Sequence, residues 1–431
     1  MLFIISPLYS FCSFIFYFIL FVLNFILRNQ KIRDFLLLRS PLLWIKKIKS
    51  LSRLFPNKNL YWVHVSSAGE LEQFIPIANH FYEKEKAEFI VTYFSKSTEP
   101  FLNNFQHSFL TLSLPIDSVY LYFYLLSKIK IKALFFVRYD IWPNLIFAAS
   151  QKKIPIILTC ATQTKTKSGF LKWLSYFYSA FIYKNFKSIF VVQQSDRYYF
   201  EKFLPKKNIF IAGDSKWWRA KERVLQKTKY QNDLFFRQFC DKVTNCKKKV
   251  VVFGSPHFEE HLLALEFFKY NKDFLIIYVP HEISEKKTQK IRDGFLKINP
   301  NVGLYSSSHN LENFDSIKCF LMDNIGYLAE IYSLAEIAVI GGGFDGQIHN
   351  TLEAAAHYCV PLFGPHFSRA AEAKKLIELK CAFSFESRKE FLEFLCQTVQ
   401  FNGLNIKEHR NSLTHVFEKI ENTAEIVYQK F

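Results

Sequence analysis

The chain has 431 residues and a formal net charge of +18; half of its residues are hydrophobic and 22% are charged. Those values exclude a wholly disordered chain or a coiled coil, and 13 Gly with 14 Pro exclude a collagen-like or proline-rich one. The length predicts two or three domains. The basic excess is one-sided: residues 1–245 hold 35 basic and 15 acidic side chains, residues 246–431 hold 21 and 23. The first half is therefore expected to meet an anionic partner, a membrane, a phosphorylated lipid or nucleic acid.

Residues 1–27 carry no charge, and Pro7 to Leu27 makes 21 residues. As a helix that run is about 32 Å long, against a bilayer core of roughly 30 Å. Arg28, Lys31, Arg33 and Arg39 follow at once. The pattern predicts a single-pass membrane anchor over residues 1–35, with the remainder of the chain on the cytoplasmic side. Ser10, Ser13 and Asn24 leave a helix lying in the interface as the alternative. A cleaved signal peptide is disfavoured, since neither a basic leader nor an A-x-A-like site is present.

Short apolar runs then alternate with segments of helical length. Tyr61–Ser67, Phe89–Tyr93, Leu110–Leu114, Ala133–Val137, Pro155–Cys160, Ile189–Val192 and Ile209–Ala212 read as buried strands. Glu70–Tyr82 and Trp142–Gln151 read as helices between them. The polar stretch Lys221–Lys249 reads as an interdomain linker with some helix. The alternation restarts at Val250–Phe253, Phe274–Val279, Val302–Tyr305, Cys319–Met322, Ile337–Ile340, Pro361–Phe363 and Ala382–Phe385, and Lys407–Gln429 reads as a closing helix. Two blocks of strand–helix alternation predict two doubly wound α/β domains with mostly parallel sheets, whose ligands sit beyond the carboxyl ends of the strands. The expected division is an anchor over 1–35, one α/β domain over 36–230, a second over 231–405, and a closing helix over 406–431. The eight cysteines include no C-x-x-C pair and fit no zinc ligand set, so buried reduced thiols are expected.

Four segments at strand ends carry the chemistry. Ser66-Ser67-Ala68-Gly69-Glu70 passes from a strand into a helix, with small residues that leave room for a ligand. Glu70 is also a favourable charge at a helix N-terminus, and spacing leaves both readings open. Asp140 in Arg138-Tyr139-Asp140-Ile141-Trp142-Pro143 is a second carboxylate facing the same crevice, or simply an N-cap. Gly254-Ser255-Pro256-His257 opens the second block and resembles an anion-binding turn. Gly341-Gly342-Gly343 ends a strand, and Asn350 and Glu353 then share one face of a helix start. Asn and Glu suit a ribose or base, and glycine N–H groups suit phosphate. The run is not G-x-G-x-x-G, which disfavours a nicotinamide cofactor. No carboxylate cluster at metal-ligand spacing is visible, so neither a metal nor another cofactor is expected.

Taken in order, WVHVSSAGELEQ, FFVRYDIWPNL, IAGDSK, FGSPHFEE, YVPHEI, MDNIGYLAEIY, GGGFDGQIHNTLEAA and VPLFGPHF resemble the 3-deoxy-D-manno-octulosonate (Kdo) transferases, inner-membrane glycosyltransferases of the GT-B fold that build lipopolysaccharide. The resemblance covers nearly the whole chain. It implies two Rossmann-like domains, a CMP-Kdo donor, a phosphorylated lipid A precursor (lipid IVA) as acceptor, inversion at the sugar's anomeric carbon, contact with an anionic inner leaflet and no nucleic acid. By motif position it implies Glu70 as general base and Asp140 as the second carboxylate. It implies that Ser67, Gly69, Lys216, Ser255, His257, Pro280, His281, Gly326, Gly342, Gly343, Asn350 and Glu353 bind substrates. The sequence departs from the family pattern at Arg138, where the family has Glu, at His281, where it has Arg, and at Thr159-Cys160-Ala161-Thr162, which lacks the arginine of an N-A-R segment. Two alternatives remain on residues alone: another GT-B enzyme that uses a UDP-sugar on a lipid, and a non-catalytic, membrane-tethered protein that binds anionic ligands.

Overall fold

Runs of β-branched and aromatic residues that are apolar on both faces suit parallel strands covered by helices on each side. In the computed structural model of the chain they form two parallel sheets. The structure describes residues 2–27, 29–51, 59–138, 140–163, 170–226, 233–246, 248–270, 274–307, 314–324, 326–400 and 406–431. The chain divides into two compact units, one of residues 1–219 with 421–431 and one of residues 220–420.

The first unit holds β1 (Leu60–Val65), β2 (Glu88–Tyr93), β3 (Ser108–Ser113), β4 (Leu134–Val137), β5 (Ile156–Ala161), β6 (Ser188–Val191) and β7 (Ile209–Ile211), in the order β3-β2-β1-β4-β5-β6-β7. The second holds β8 (Lys249–Gly254), β9 (Phe274–Val279), β10 (Val302–Leu304), β11 (Cys319–Leu321), β12 (Ile337–Ile340), β13 (Val360–Phe363) and β14 (Phe383–Ser384), in the order β10-β11-β9-β8-β12-β13-β14. Every run read as a strand is one. Two doubly wound parallel-sheet α/β domains are thus present. Strand order reverses between β1 and β4 in one sheet and between β8 and β12 in the other. At such a point the connections leave on opposite faces and open a crevice.

The first unit's core is aromatic. Trp44 stacks on Trp62 at 5.4 Å and donates its indole N–H to the Ser113 carbonyl. On the other face the chain returns at its C-terminus, where Phe431 packs on Tyr61, Phe81 and Phe135. The expected closing helix is two helices, Ile406–Glu418 and Thr423–Lys430, because the Asn422 side chain accepts from Glu425 N and starts a new one. The expected linker is also largely helical, with helices Ser215–Gln226 and Leu234–Asn245 on either side of residues outside the described set. The seven described cysteines are unpaired, and Cys160, Cys319, Cys359 and Cys381 are buried.

The single-pass anchor is overturned, and with it the single-pass inner-membrane placement. Among the described residues no helix is long and apolar enough to cross a membrane. Helix Leu2–Leu27 lies along the first unit instead. Ser10 is buried and its hydroxyl accepts from Val119 N, while Tyr17 is buried and stacks on Phe35 at 5.9 Å. Ser10, one of the polar residues that kept an alternative open in the sequence, is thus part of a docking face. Arg39, read as part of a basic flank, is only 3% exposed. Its guanidinium sits 4.0 Å from the Phe35 ring centroid and 4.5 Å from that of Phe94, and donates to the Phe94 carbonyl. A cation held between two rings inside the protein is a packing element rather than a partner for phosphate.

Asp117, in the loop after β3, is 1% exposed, and burial outweighs the opposing hydrogen bonds of the Asn144 backbone and the Tyr122 and Tyr9 hydroxyls. Burial pushes its pKa up to about 7, from an ordinary 3.8. The folded state therefore holds this proton more tightly than the unfolded chain does. Stability contributed by the protonated form is present below about pH 4 and is lost as the pH rises toward 7. Asp117→Asn, which cannot ionise, is expected to raise stability at pH 8 by roughly 2–4 kcal/mol. Thermal unfolding across the pH range checks this: the gain must shrink through pH 6 and vanish near pH 4, and a gain that ignores pH would refute it.

Candidate functional site

The β1/β4 reversal collects the first constellation. β1 ends at Val65, and Ser66 and Ser67 lead into helix Ala68–Glu85. Glu70, in the first turn, is 4% exposed, and its Oε2 accepts from Ser66 N at 2.6 Å. Burial raises its pKa; the Ser66 N–H and nearby His64 oppose that, and the charge of Asp140 adds to it. Ser67 is the N-cap by backbone angle but makes no side-chain cap bond, so Glu70 rather than Ser67 satisfies the turn. Gly69 has open space where a Cβ would stand, its nearest neighbour being the Ser67 hydroxyl at 4.0 Å.

Asp140 follows β4 and is joined to β1 through His64. The His64 ring is fully buried, with Nε2 3.2 Å from Asp140 Oδ2 and Nδ1 3.1 Å from Thr92 Oγ1. Trp142 Nε1–H points at both His64 Nε2 (3.0 Å) and Asp140 Oδ2 (3.4 Å). A proton on His64 Nε2 bonds Asp140; without it, Nε2 accepts from Trp142. Trp62 Nε1–H donates to Thr92 Oγ1 at 3.0 Å, and Thr92 donates to the Val63 carbonyl, so this polar chain is anchored in the sheet. Asp140 is thus not a helix N-cap; that position falls to Trp142, ahead of Pro143. Arg138, the first residue after β4, has φ +62 and bonds Thr159 O through its N–H. Lys216 lies in the first turn of helix Ser215–Gln226, its N–H bonded to Asp214 Oδ1, which also accepts from Gln73.

The β8/β12 reversal collects the second constellation. Ser255, the first residue after β8, has φ +52, and the next residues lead into helix Phe258–Tyr270. Gly341 must be glycine: a Cβ there would stand 1.9 Å from the Ser255 carbonyl oxygen. Gly342 has φ +80 and would drive a Cβ into the Gln347 carbonyl at 2.2 Å. Close backbone approach therefore accounts for the glycine run. The amides expected to face phosphate are in part already taken. Glu260, with no exposed surface, accepts from Gly343 N at 3.0 Å and Phe344 N at 3.4 Å through Oε1, and from His257 N at 3.1 Å through Oε2.

Asn350 caps helix Thr351–Ala356 by accepting from Leu352 N at 3.0 Å. Glu353 Oε1 accepts from Arg223 Nη1 at 2.6 Å. Gly326, with φ +101, stands between β11 and helix Leu328–Ile331 and is away from the glycine run in sequence. His257 Nδ1 lies 2.5 Å from Asp345 Oδ2, and its Nε2 lies 3.0 Å from His349 Nε2. The His281 ring centroid is 5.1 Å from that of His257 and 4.6 Å from that of His349. Burial, then the imidazoles of His281 and His257, push the His349 pKa down to about 4, so it is neutral at pH 7. A cavity of about 770 Å³ opens here, lined by Pro256, His257, Tyr278, Pro280, His281 and Asp345 among others.

His64, Trp142, Arg223, Glu260, Asp345 and His349 are the members that sequence reasoning missed. His64 sits inside an apolar strand, and Glu260 looks like an ordinary first-turn acid; their partners lie 76 and 83 residues away. Glu260 is the tie between the β8 turn and the β12 loop. Glu260→Gln keeps the volume but turns an N–H donor toward amides that need acceptors, and is expected to cost about 2–3 kcal/mol. Thermal unfolding of the purified variant checks this; an unchanged midpoint would mean the three amides find other partners.

With the geometry in place, similarity to known proteins adds identity. Residues 43–219 match the family model described as 3-Deoxy-D-manno-octulosonic-acid transferase (kdotransferase). A bifunctional glycosyltransferase/methyltransferase of Fusobacterium nucleatum is 25% identical over 81% of the chain, which spans only 54% of that relative. A 3-deoxy-D-manno-octulosonic acid transferase of Rickettsia bellii is 26% identical over 86% of both proteins. The crystal structure of UDP-GlcNAc 2-epimerase from Neisseria meningitidis aligns with a TM-score of 0.56 at 12% identity, covering 86% of the chain and 99% of the epimerase, and shares the fold alone. The ordered motifs, the match over residues 43–219 and the relatives that align across both units make the chain similar to the Kdo transferases.

Proposed function

We propose that the chain transfers Kdo from CMP-Kdo to a phosphorylated lipid A precursor, lipid IVA, with inversion at the anomeric carbon. The observation that carries this reading is a buried carboxylate, Glu70, held by one backbone N–H at the strand-order reversal of a chain similar to the Kdo transferases. In the reaction the acceptor hydroxyl oxygen attacks the anomeric carbon of Kdo. The bond from that carbon to the phosphate oxygen of CMP breaks, and CMP leaves with the electron pair. Glu70 takes the hydroxyl proton. A carboxylate whose pKa is raised by burial is a stronger base than an exposed one, and general-base assistance is worth roughly 10²–10⁴-fold.

Asp140, fixed by His64 and Trp142, orients the acceptor. Lys216 supplies positive charge to the departing phosphate. In the second unit Asn350 and Glu353 hold the nucleoside, with Arg223 keeping the Glu353 carboxylate in place. Ser67 and Gly69 leave space for the acceptor; Ser255, His257, Pro280, His281, Gly326, Gly342 and Gly343 shape the donor pocket. The excess of basic residues over positions 1–245 suits an acceptor that carries phosphates.

Mass spectrometry of lipid IVA incubated with the full-length protein and CMP-Kdo tests the reading. One or more Kdo additions are expected, with none from UDP-sugars; transfer from a UDP-sugar alone would overturn it. Glu70→Gln is expected to lower turnover by roughly 10²-fold or more while CMP affinity stays near wild type. The wild-type rate should rise with pH through an inflection above the ordinary glutamate value of 4.5, since the base works ionised, and the variant should lose that limb. Near-normal turnover in folded Glu70→Gln would reduce Glu70 to a helix-terminal charge. Glu353→Ala is expected to weaken CMP binding by about 1–3 kcal/mol in calorimetry. Unchanged affinity would remove Glu353 from the nucleoside site.

A further inference from the structure

Three imidazoles meet at the carboxyl ends of three different strands of the second unit: His257 after β8, His281 after β9 and His349 after β12. One ring nitrogen from each lies within 4.8 Å of the others, and the His257–His349 pair is at 3.0 Å. Asp345 Oδ2, 2.5 Å from His257 Nδ1, accepts from Nδ1–H, the tautomer that leaves the Nε2 lone pair free on the side of His349. We propose that His257, His281 and His349 form a three-imidazole site for a first-row transition-metal dication of the zinc type, with Asp345 as the carboxylate that orients His257.

The chemistry of the donor set fits that class of ion. Zinc bonds imidazole nitrogen at about 2.0–2.1 Å, so two nitrogens on a tetrahedral ion stand roughly 3.3 Å apart. The His257–His349 spacing of 3.0 Å lies close to that value, the other pairs fall within 4.8 Å, and His281 is the exposed member. A carboxylate behind a ligating histidine fixes its tautomer and raises its basicity. Three nitrogen ligands leave a fourth position open, and His257, His281 and Asp345 line the cavity of about 770 Å³. An oxygen donor from a carboxylate or phosphate fits that opening. Hard dications such as Mg²⁺ prefer oxygen ligands and are not expected to bind. An N–H···N bond between His257 and His349 accounts for two of the rings, but not for the third ring against both. The site does not depend on which nucleotide-sugar the chain uses.

Calorimetry and metal analysis of untagged, full-length protein, stripped with a chelator and then given Zn²⁺ alone, test the proposal. One equivalent of zinc per chain is expected, with no heat from Mg²⁺, and Co²⁺ should give the strong visible absorption of a tetrahedral site. His281→Ala removes an exposed side chain and leaves the fold intact by circular dichroism; it is expected to weaken zinc binding at least 100-fold. Asp345→Asn should weaken it by roughly 10–100-fold. Zinc retained with unchanged affinity in His281→Ala and in His349→Ala, or no stoichiometric zinc in the wild type, would overturn the site. Either outcome would leave Kdo transfer from CMP-Kdo standing, because that is read from lipid product and not from bound metal.

Discussion

At the β1/β4 and β8/β12 boundaries, neighbouring parallel strands send their chains to opposite faces of the sheet. The connections leave on opposite faces there, so side chains at the two strand ends can meet. Each candidate constellation sits at one of these boundaries. The backbone records the same constraint. Arg138 and Ser255, each the first residue after a boundary strand, adopt left-handed angles that cost a non-glycine residue free energy.

Polar groups near these bends are tied by buried hydrogen bonds between elements far apart in sequence. In the first unit the chain Trp62–Thr92–His64–Asp140–Trp142 connects β1, β2 and the β4 exit. In the second, Glu260 gathers three amides from two loops. A buried carboxylate is costly to hold charged unless N–H groups surround it. Glu70 has one such N–H in hand and Glu260 three. That difference leaves the Glu70 carboxylate with fewer amides to stabilise its charge than Glu260 has. It also shows why raised pKa values alone do not mark function: burial raises both.

Hydrophobic residues next to these sites do two kinds of work. Phe94 packs on Trp142 at 5.5 Å on one side and on the Arg39 guanidinium on another, so the residues that precede β1 support the Asp140 loop through an aromatic layer. Helix Leu2–Leu27 uses Tyr17 to reach the same layer through Phe35, while Phe14, Phe18, Phe21 and Phe25 remain exposed. The N-terminal helix is therefore coupled to the candidate site by packing.

The sequence by itself determined the strands, their grouping into two blocks and the order of the motifs. Period and composition are local properties, and a parallel strand buried on both faces has the same apolar signature wherever it lies in the sheet. It also located Glu70, Asp140 and the Gly341–Gly343 run, because the carboxyl end of a strand can be read from where an apolar run stops. Tertiary structure decided what those residues touch. Asp140 has the profile of a cap until His64, 76 residues earlier, is seen beside it. The glycines have the profile of a phosphate loop until Glu260 is seen to hold their amides and Ser255 to press against them. The first 27 residues have the profile of a spanning segment until Ser10 and Tyr17 are seen to dock on the first unit. His257, His281 and His349 have no shared spacing, because three separate strand ends bring them together. In each case the deciding neighbour is distant in the chain, and only folding of the sheet fixes the distance between them.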